Sequence, residues 1–314
     1  MSAANKTTMP DTKTKLGPLT FKNPVMVAAG TFGYGAEKIL LKMPVNKLGA
    51  FITKTITLEP RLGNPPPRLA EVAGGIVNSI GLENPGIDAF CRDYLPKIKH
   101  IKTTKIVSIG GSDEYDFAKI VRVLNRQKGI NALEVNVSCP NVKKGGLCIA
   151  QDPEVTRKIT RIIKRASRYP VIVKLSPNVT SVVNIALAAQ DGGADILSLI
   201  NTVAAMAVNW KKRCLELGNG TGGLSGPAIK PIALKMVWEV SRAVRIPVIG
   251  IGGIINADDV MEFLVAGASA VQVGTLNLIT PTDVFSVIDD LPAVFKKYNI
   301  KSVRSVVGTL RMGN

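Results

Sequence analysis

The sequence predicts a single α/β domain built as a closed (β/α)8 TIM barrel, and three observations carry that expectation. Eight short apolar runs rich in Val and Ile recur along the chain, each closing on Gly, Pro or a polar cluster. Helical patterns lie between them, so strand and helix alternate, as parallel strands joined by crossovers require. The 314 residues suit one barrel, and 46% hydrophobic with only 5% aromatic residues describes a core filled by aliphatic side chains. A doubly wound open sheet is the alternative; the strand count and the lack of a dinucleotide fingerprint count against it.

In chain order, polar residues 1 to 14 lack the apolar centre of a signal peptide and read as a flexible lead-in. "KLGPLTFKNP" (15 to 24) then reads as a short hairpin, a plug for the barrel floor. The strands follow as "PVMVAAG" (24 to 30), "AFITKT" (50 to 55), "KIVSIGG" (105 to 111), "LEVNVSCP" (133 to 140), "VIVKLSP" (171 to 177), "ILSLINT" (196 to 202), "PVIGIGG" (247 to 253) and "AVQVGT" (270 to 275). Helices are expected in "NPGIDAFCRDYLPKIK" after Asn84, in "DEYDFAKIVRVLNRQK" after Ser112 and in "NADDVMEFLVAGA" from Asn256, each opened by a start signal. In "RKITRIIKRASR" (157 to 168) the buried stripe is expected at Val155, Ile159, Ile162, Ile163 and Ala166, with the basic residues on the wet face. Two insertions, residues 56 to 83 and 203 to 226, leave from the C-terminal ends of the second and sixth strands and are expected to roof a site there as loops. Residues 300 to 314 read as a basic tail.

Composition excludes several function classes. Forty Lys and Arg against 23 Asp and Glu give +17, but the excess is spread over helix faces, which suits a solvated surface better than a polynucleotide site. A nucleic-acid reading also lacks a recognition motif or a stacking platform. Cys91, Cys139, Cys148 and Cys214 show no CxxC spacing, so reduced thiols in a cytoplasm are expected and no metal site is. The one histidine, His100, sits in a basic stretch, is expected at the surface and leaves no Ser-His-Asp triad to build. The longest uncharged stretch is broken by Gly, Asn and Pro, so no membrane span is expected.

The strand ends are where the chemistry gathers. Ala28, Ala29 and Gly30 come from the first, Lys54 from the second, Asn136, Cys139 and Asn141 from the fourth, Lys174 from the fifth, and Asn201 and Thr202 from the sixth. Asn78, Ser79 and Gly81 come from the first insertion. Lys54 and Lys174 interrupt apolar strands, and a buried ammonium persists only where an anion offsets its desolvation. A structural salt bridge would serve, yet few acidic residues lie nearby in sequence, which favours an anionic ligand. Glycine-rich ends on the last two strands, with "GGLSGPA" (222 to 228), mark a phosphate site. Cys139 ends its strand just before Pro140, and a thiol beside ammonium groups can serve as a general base; as a small buried hydrophobe it would do nothing. Cys91 lies within a helix and reads as structural, while Cys148 could be an oxidation partner of Cys139.

These motifs, "NSIGLENPG" (78 to 86), "EVNVSCPN" (134 to 141), "VKLSPN" (173 to 178), "INT" (200 to 202), "GGLSGPA" and "IGIGG", resemble in order and register those of dihydroorotate dehydrogenase of class 1. Within that class, "KTITLEPRLGNPPPRLAE" (54 to 71) and "INTVAAMAVN" (200 to 209) resemble the class 1B catalytic subunit rather than the fumarate-using 1A enzymes. The resemblance implies a bound FMN and a reaction that oxidises (S)-dihydroorotate to orotate in pyrimidine biosynthesis, with Cys139 as the base at C5. It places Lys54, Asn78, Ile80, Gly81, Leu82, Asn136, Asn141, Asn201 and Thr202 around the substrate. It places Ala29, Gly30, Thr31, Lys54, Thr55, Asn136, Lys174, Ile200, Gly226, Gly252, Gly253, Gly274 and Thr275 around the cofactor. The segment 140 to 151, with Gly145 and Gly146 as hinges, is expected to close over substrate. The resemblance further implies a partner subunit with FAD and a [2Fe-2S] cluster that passes electrons to NAD, and a homodimer within a heterotetramer. The rival reading from residues alone is a non-redox aldolase or isomerase using Lys174 on a sugar phosphate.

Overall fold

The computed structural model describes residues 10 to 137 and 151 to 311, with Leu41 and His100 described in backbone only. Cys139, Asn141, Cys148 and the hinge glycines Gly145 and Gly146 therefore lie outside the described residues. Eight parallel strands close a barrel: Val25–Val27, Ala50–Ile52, Thr104–Gly110, Ala132–Asn136, Val171–Leu175, Ile196–Leu199, Val248–Ile251 and Ala270–Val273, in that order around the ring. Each of the eight expected runs supplies one strand.

Period-two alternation sorts every strand into two faces. Val25, Val27, Phe51, Val107, Leu133, Val135, Val171, Val173, Leu197 and Val271 point outward into one apolar layer beneath the helices. Met26, Ala50, Ile52, Ile106, Ala132, Ile172, Ile196, Ile249 and Ala270 point inward and pack on Leu16 and Phe21. Those two come from the antiparallel hairpin Thr14–Leu16 and Leu19–Phe21, which is the floor plug the sequence predicts. Its first residue is anchored where Thr14 Oγ1 donates to the Ser269 carbonyl at 2.8 Å.

The crossovers are less regular than the sequence suggests. Between the first two strands stand only the 3-10 turns Leu40–Lys42 and Val45–Lys47, because Pro44 and nearby glycines break any longer helix. The helix expected after Asn84 is a four-residue α turn, Gly86–Ala89, a π turn, Phe90–Tyr94, and a 3-10 segment, Leu95–His100, with Pro96 in the first turn of the last. The later crossovers are full helices: Glu114–Leu124, Pro153–Ala166, Val182–Asp191, Lys230–Ala243, Ala257–Ala266 and Asp283–Lys297. Asp113, not Ser112, caps the first of these, accepting from Asp116 N at 2.9 Å. In Pro153–Ala166 the buried positions are Thr156, Ile159, Thr160 and Ile163. The stripe is thus rotated from the expected one, and Val155, Ile162 and Ala166 remain partly exposed.

The two insertions are strands rather than loops. Leu69–Val72 and Gly75–Asn78 from the first pair with Gly222–Ser225 and Val203–Ala205 from the second in one four-stranded antiparallel sheet. Both ends of the described residues are tied down. Asp11 bridges Ser302, and the segment after Ser302 bonds to the helix Ala257–Ala266 through Gly308 N to Leu264 O at 3.0 Å and Leu310 N to Val265 O at 3.1 Å. Among the described residues no helix is long and apolar enough to cross a membrane.

Candidate active site

Two residues beyond an inward-facing position, each strand delivers one more side chain to the C-terminal mouth. Met26 leads to Ala28, Ile52 to Lys54, Ile106 to Ser108, Glu134 to Asn136, Ile172 to Lys174, Ser198 to Ile200, Ile249 to Ile251 and Gln272 to Gly274. All eight end residues line one cavity of about 260 Å³. Most of the expected site residues line the same cavity: Ala29, Gly30, Thr31, Thr55, Asn78, Ile80, Leu82, Asn201, Thr202, Gly226, Gly252, Gly253 and Thr275. Gly81 does not line it. Its φ of 75° serves a turn instead, and a Cβ there would press on the Asn64 backbone at 2.5 Å.

Ser108, Ser225, Ile251, Ile229, Leu69 and Leu278 also line the cavity and were not among the expected residues. Ser108 shares a hydrogen bond with Thr55, Oγ to Oγ1, at 2.9 Å, and Ser225 shares one with Thr275 at 2.9 Å. Carrying the two-residue step from Ile106 and Ile249 would have found Ser108 and Ile251. Small hydroxyls and aliphatics give no other signal.

The polar groups have defined supports. Asn201 Nδ2 donates to Asn136 Oδ1 at 3.3 Å, and Asn201 Oδ1 accepts from Thr202 N at 2.9 Å. Asn78 Nδ2 donates to the Gly223 carbonyl at 3.1 Å, so the roof sheet holds it over the mouth. Lys54 sits beside the ring of Tyr34, its ammonium 6.0 Å from the centroid. Burial pushes the Tyr34 phenol well above its ordinary pKa, with Tyr94, Glu37 and Glu83 adding to the effect, so the phenol stays neutral beside Lys54. Lys174 is 7% exposed, and its side chain has no ion pair or hydrogen bond among the described residues. The residues outside the description carry no Asp or Glu. A buried ammonium that lines a cavity without a side-chain carboxylate marks the place of an external anion.

The opposite wall fits a phosphorylated ligand. Gly252 (φ 138°) and Gly253 (φ 70°) hold backbone that L side chains rarely adopt, and their N–H groups donate to no carbonyl among the described residues. The helix Ala257–Ala266 is closed by its own capping box of Asn256 and Asp259, whereas Lys230–Ala243 has no side-chain cap and begins beside Gly226 and Ile229 at the cavity. The helix start that borders the cavity is therefore the one after the second insertion, continued from the 3-10 turn Pro227–Ile229. At Gly30 a Cβ would meet nothing within 4 Å, so the cavity itself lies against that backbone. Among the described residues no group of three or more His, Cys, Asp or Glu could hold a metal.

Fold and site together define a parallel (β/α)8 barrel with a cavity at its C-terminal mouth, lined by two lysines, three asparagines and a run of glycines. Residues 12 to 295 match the sequence profile of dihydroorotate dehydrogenase, and the chain belongs to that family. It is 46% identical over 303 residues to "Dihydroorotate dehydrogenase B (NAD(+)), catalytic subunit" of Geobacter sp. (strain M21), covering 96% of this chain and 99% of that one. It is 48% identical over 301 residues to the subunit of the same name from Pelobacter propionicus, with the same two coverages. Among solved structures, dihydroorotate dehydrogenase of Eimeria tenella in complex with ferulenol superposes with a TM-score of 0.79 at 25% identity, over 98% of this chain and 91% of that one.

Proposed function

We propose that the chain is the FMN-bearing catalytic subunit of an NAD-linked dihydroorotate dehydrogenase, working in the cytoplasm as one barrel unit. The observation that carries the reading is Lys174, a cavity-lining ammonium with no side-chain carboxylate to meet it. Lining the same cavity are amides and a second ammonium, Lys54, a donor set matched to a pyrimidine carboxylate. The residues fit FMN: the glycine wall and the open end of Lys230–Ala243 suit its phosphate, and the cavity against Gly30 suits its ring. When bound, the flavin supplies the hydride acceptor.

The chain's own residues do the rest. Asn78, Asn136, Asn141 and Asn201 orient the ring of dihydroorotate, and Lys54 holds its carboxylate. Lys174 would help hold the cofactor, its ammonium offering positive charge where the bound group takes up electrons. Cys139 takes the C5 proton; an unperturbed thiol pKa near 8.5 needs only a modest lowering to supply thiolate at neutral pH. The roof sheet limits water at the mouth. Electrons leave through a partner subunit bearing FAD and a [2Fe-2S] cluster, in a heterotetramer built on a homodimer of this chain.

Anaerobic mixing of the purified protein with dihydroorotate tests the reading. The flavin absorbance should bleach, and NAD should restore it only in the presence of the partner subunit; reoxidation by fumarate alone would assign the 1A reaction. A colourless protein that cleaves or isomerises a sugar phosphate would end the case. In Cys139→Ala the flavin should stay bound while its reduction slows by about 10²- to 10⁴-fold, as loss of a general base predicts.

A further inference from the structure

Lys54 has one carboxylate neighbour among the described residues, and that carboxylate is already engaged. Glu83 Oε2 lies 3.8 Å from the ammonium, beyond hydrogen-bond reach, while the same oxygen accepts from Arg68 Nη1 at 2.7 Å. Arg68 is itself fixed: its Nε donates to the Asn64 carbonyl at 2.5 Å and its Nη2 to the Leu62 carbonyl at 2.8 Å. Its own carbonyl accepts from Ser79 N at 2.8 Å, which ties the guanidinium to the turn that carries Asn78 and Glu83. Lys54 is three-quarters buried, whereas the Glu83 side chain is half exposed. The ammonium is thus compensated by a field from the rim without giving any of its three hydrogens to it.

We propose that Glu83 is the resident counter-ion of Lys54, and that Arg68 sets how tightly it holds. Arg68 keeps the carboxylate at a distance that stabilises the charge of Lys54 yet leaves its N–H donors for an incoming carboxylate. Glu83 then acts as a positioning and specificity residue: a ligand carboxylate must displace its influence, and a ligand without one gains nothing from Lys54. Freed from Arg68, Glu83 would close on Lys54 and compete directly with substrate. The inference rests on the reading of Lys54 as the carboxylate site.

Titration calorimetry of orotate into the FMN-loaded protein tests it, with thermal melting as the control for folding. Glu83→Gln should tighten orotate by about fivefold, the size of a partly exposed ion pair. Arg68→Gln should weaken it by about as much. The double variant should bind like Glu83→Gln, because Arg68 acts only through Glu83. In Lys54→Met, read at millimolar orotate, Glu83→Gln should have no effect. If Glu83→Gln tightens binding equally in the Lys54→Met background, the carboxylate acts by general repulsion and the proposal fails. If Arg68→Gln weakens binding as much with Gln as with Glu at 83, Arg68 is a brace for the roof and the proposal fails. If Lys54→Met leaves orotate affinity intact, the underlying assignment of Lys54 fails instead.

Discussion

A lysine within "VIVKL" is costly to bury, and that cost made Lys174 readable from sequence before its surroundings were known. The structure supplies the other half of the reasoning: no carboxylate of the described residues pairs with it. Lys174→Met, similar in length and without charge, should therefore split two properties. Flavin affinity should fall by about 10- to 100-fold, the loss of one buried charge-assisted contact. The flavin-free protein should melt at the same temperature or higher, because an uncompensated charge has gone. Equal losses in both would show that Lys174 has an internal partner. The thiols were legible in part. Cys91 is half-buried, and burial with Asp88 nearby pushes its pKa up to about 11, whereas Cys214 is exposed. Iodoacetamide at pH 8 followed by peptide mapping should modify Cys214 well before Cys91. Ser108 is reachable by the two-residue step from Ile106, but Ser225 is not: a small hydroxyl within "GGLSGPA" carries no desolvation cost to single it out.

The eight strands were legible because the same alternation repeats with Val and Ile, while of the helices Glu114–Leu124 and Ala257–Ala266 were legible from their start signals and Pro153–Ala166 was legible as a helix with its buried stripe rotated. The roof was not. "LAEV" and "GIVN" are four residues each, only partly buried and paired with each other as a local hairpin, but the other edge of "GIVN" pairs with Gly222–Ser225, about 145 positions away, and no local pattern reports that pairing. Its tightest point is Gly223, paired with Asn78 in register, where a Cβ would overlap the Thr202 hydroxyl. Gly223→Ala should displace two cavity residues together and weaken orotate by about tenfold or more, with kcat/KM falling in step. Alanine binding orotate as well as glycine would mean that Thr202 can move without loss. The capping box of Asn256 and Asp259, by contrast, was visible as "NADD". Asn256→Ala should cost about 1 kcal/mol in urea denaturation and leave ligand binding unchanged.

Seen along its axis, the barrel interior has three levels: an apolar floor around Leu16 and Phe21, the cavity at the mouth, and a polar knot between them. In the knot Glu134, fully buried, accepts from Gln272 Nε2 at 2.6 Å and from Ser198 Oγ at 3.1 Å. Both remaining acceptors, Glu134 Oε1 and Gln272 Oε1, have no protein partner among the described residues. Glu134 and Gln272 stand two residues below Asn136 and Gly274, so this level supports the mouth without touching ligand. An incompletely paired polar group costs most when its remaining partner is taken away. Gln272→Leu removes the shortest bond to the Glu134 carboxyl and should lower the unfolding free energy by about 1 to 3 kcal/mol. Adding Glu134→Leu should recover most of that loss, because two apolar side chains of similar size then fill the level. Urea denaturation of the flavin-free forms reads both changes. If Gln272→Leu costs nothing, the Ser198 bond alone satisfies the carboxyl; if the double variant is no better than the single, the interior cannot repack around leucine. Orotate affinity measured on the same proteins should stay within about threefold of the parent, as expected for changes one level below the ligand.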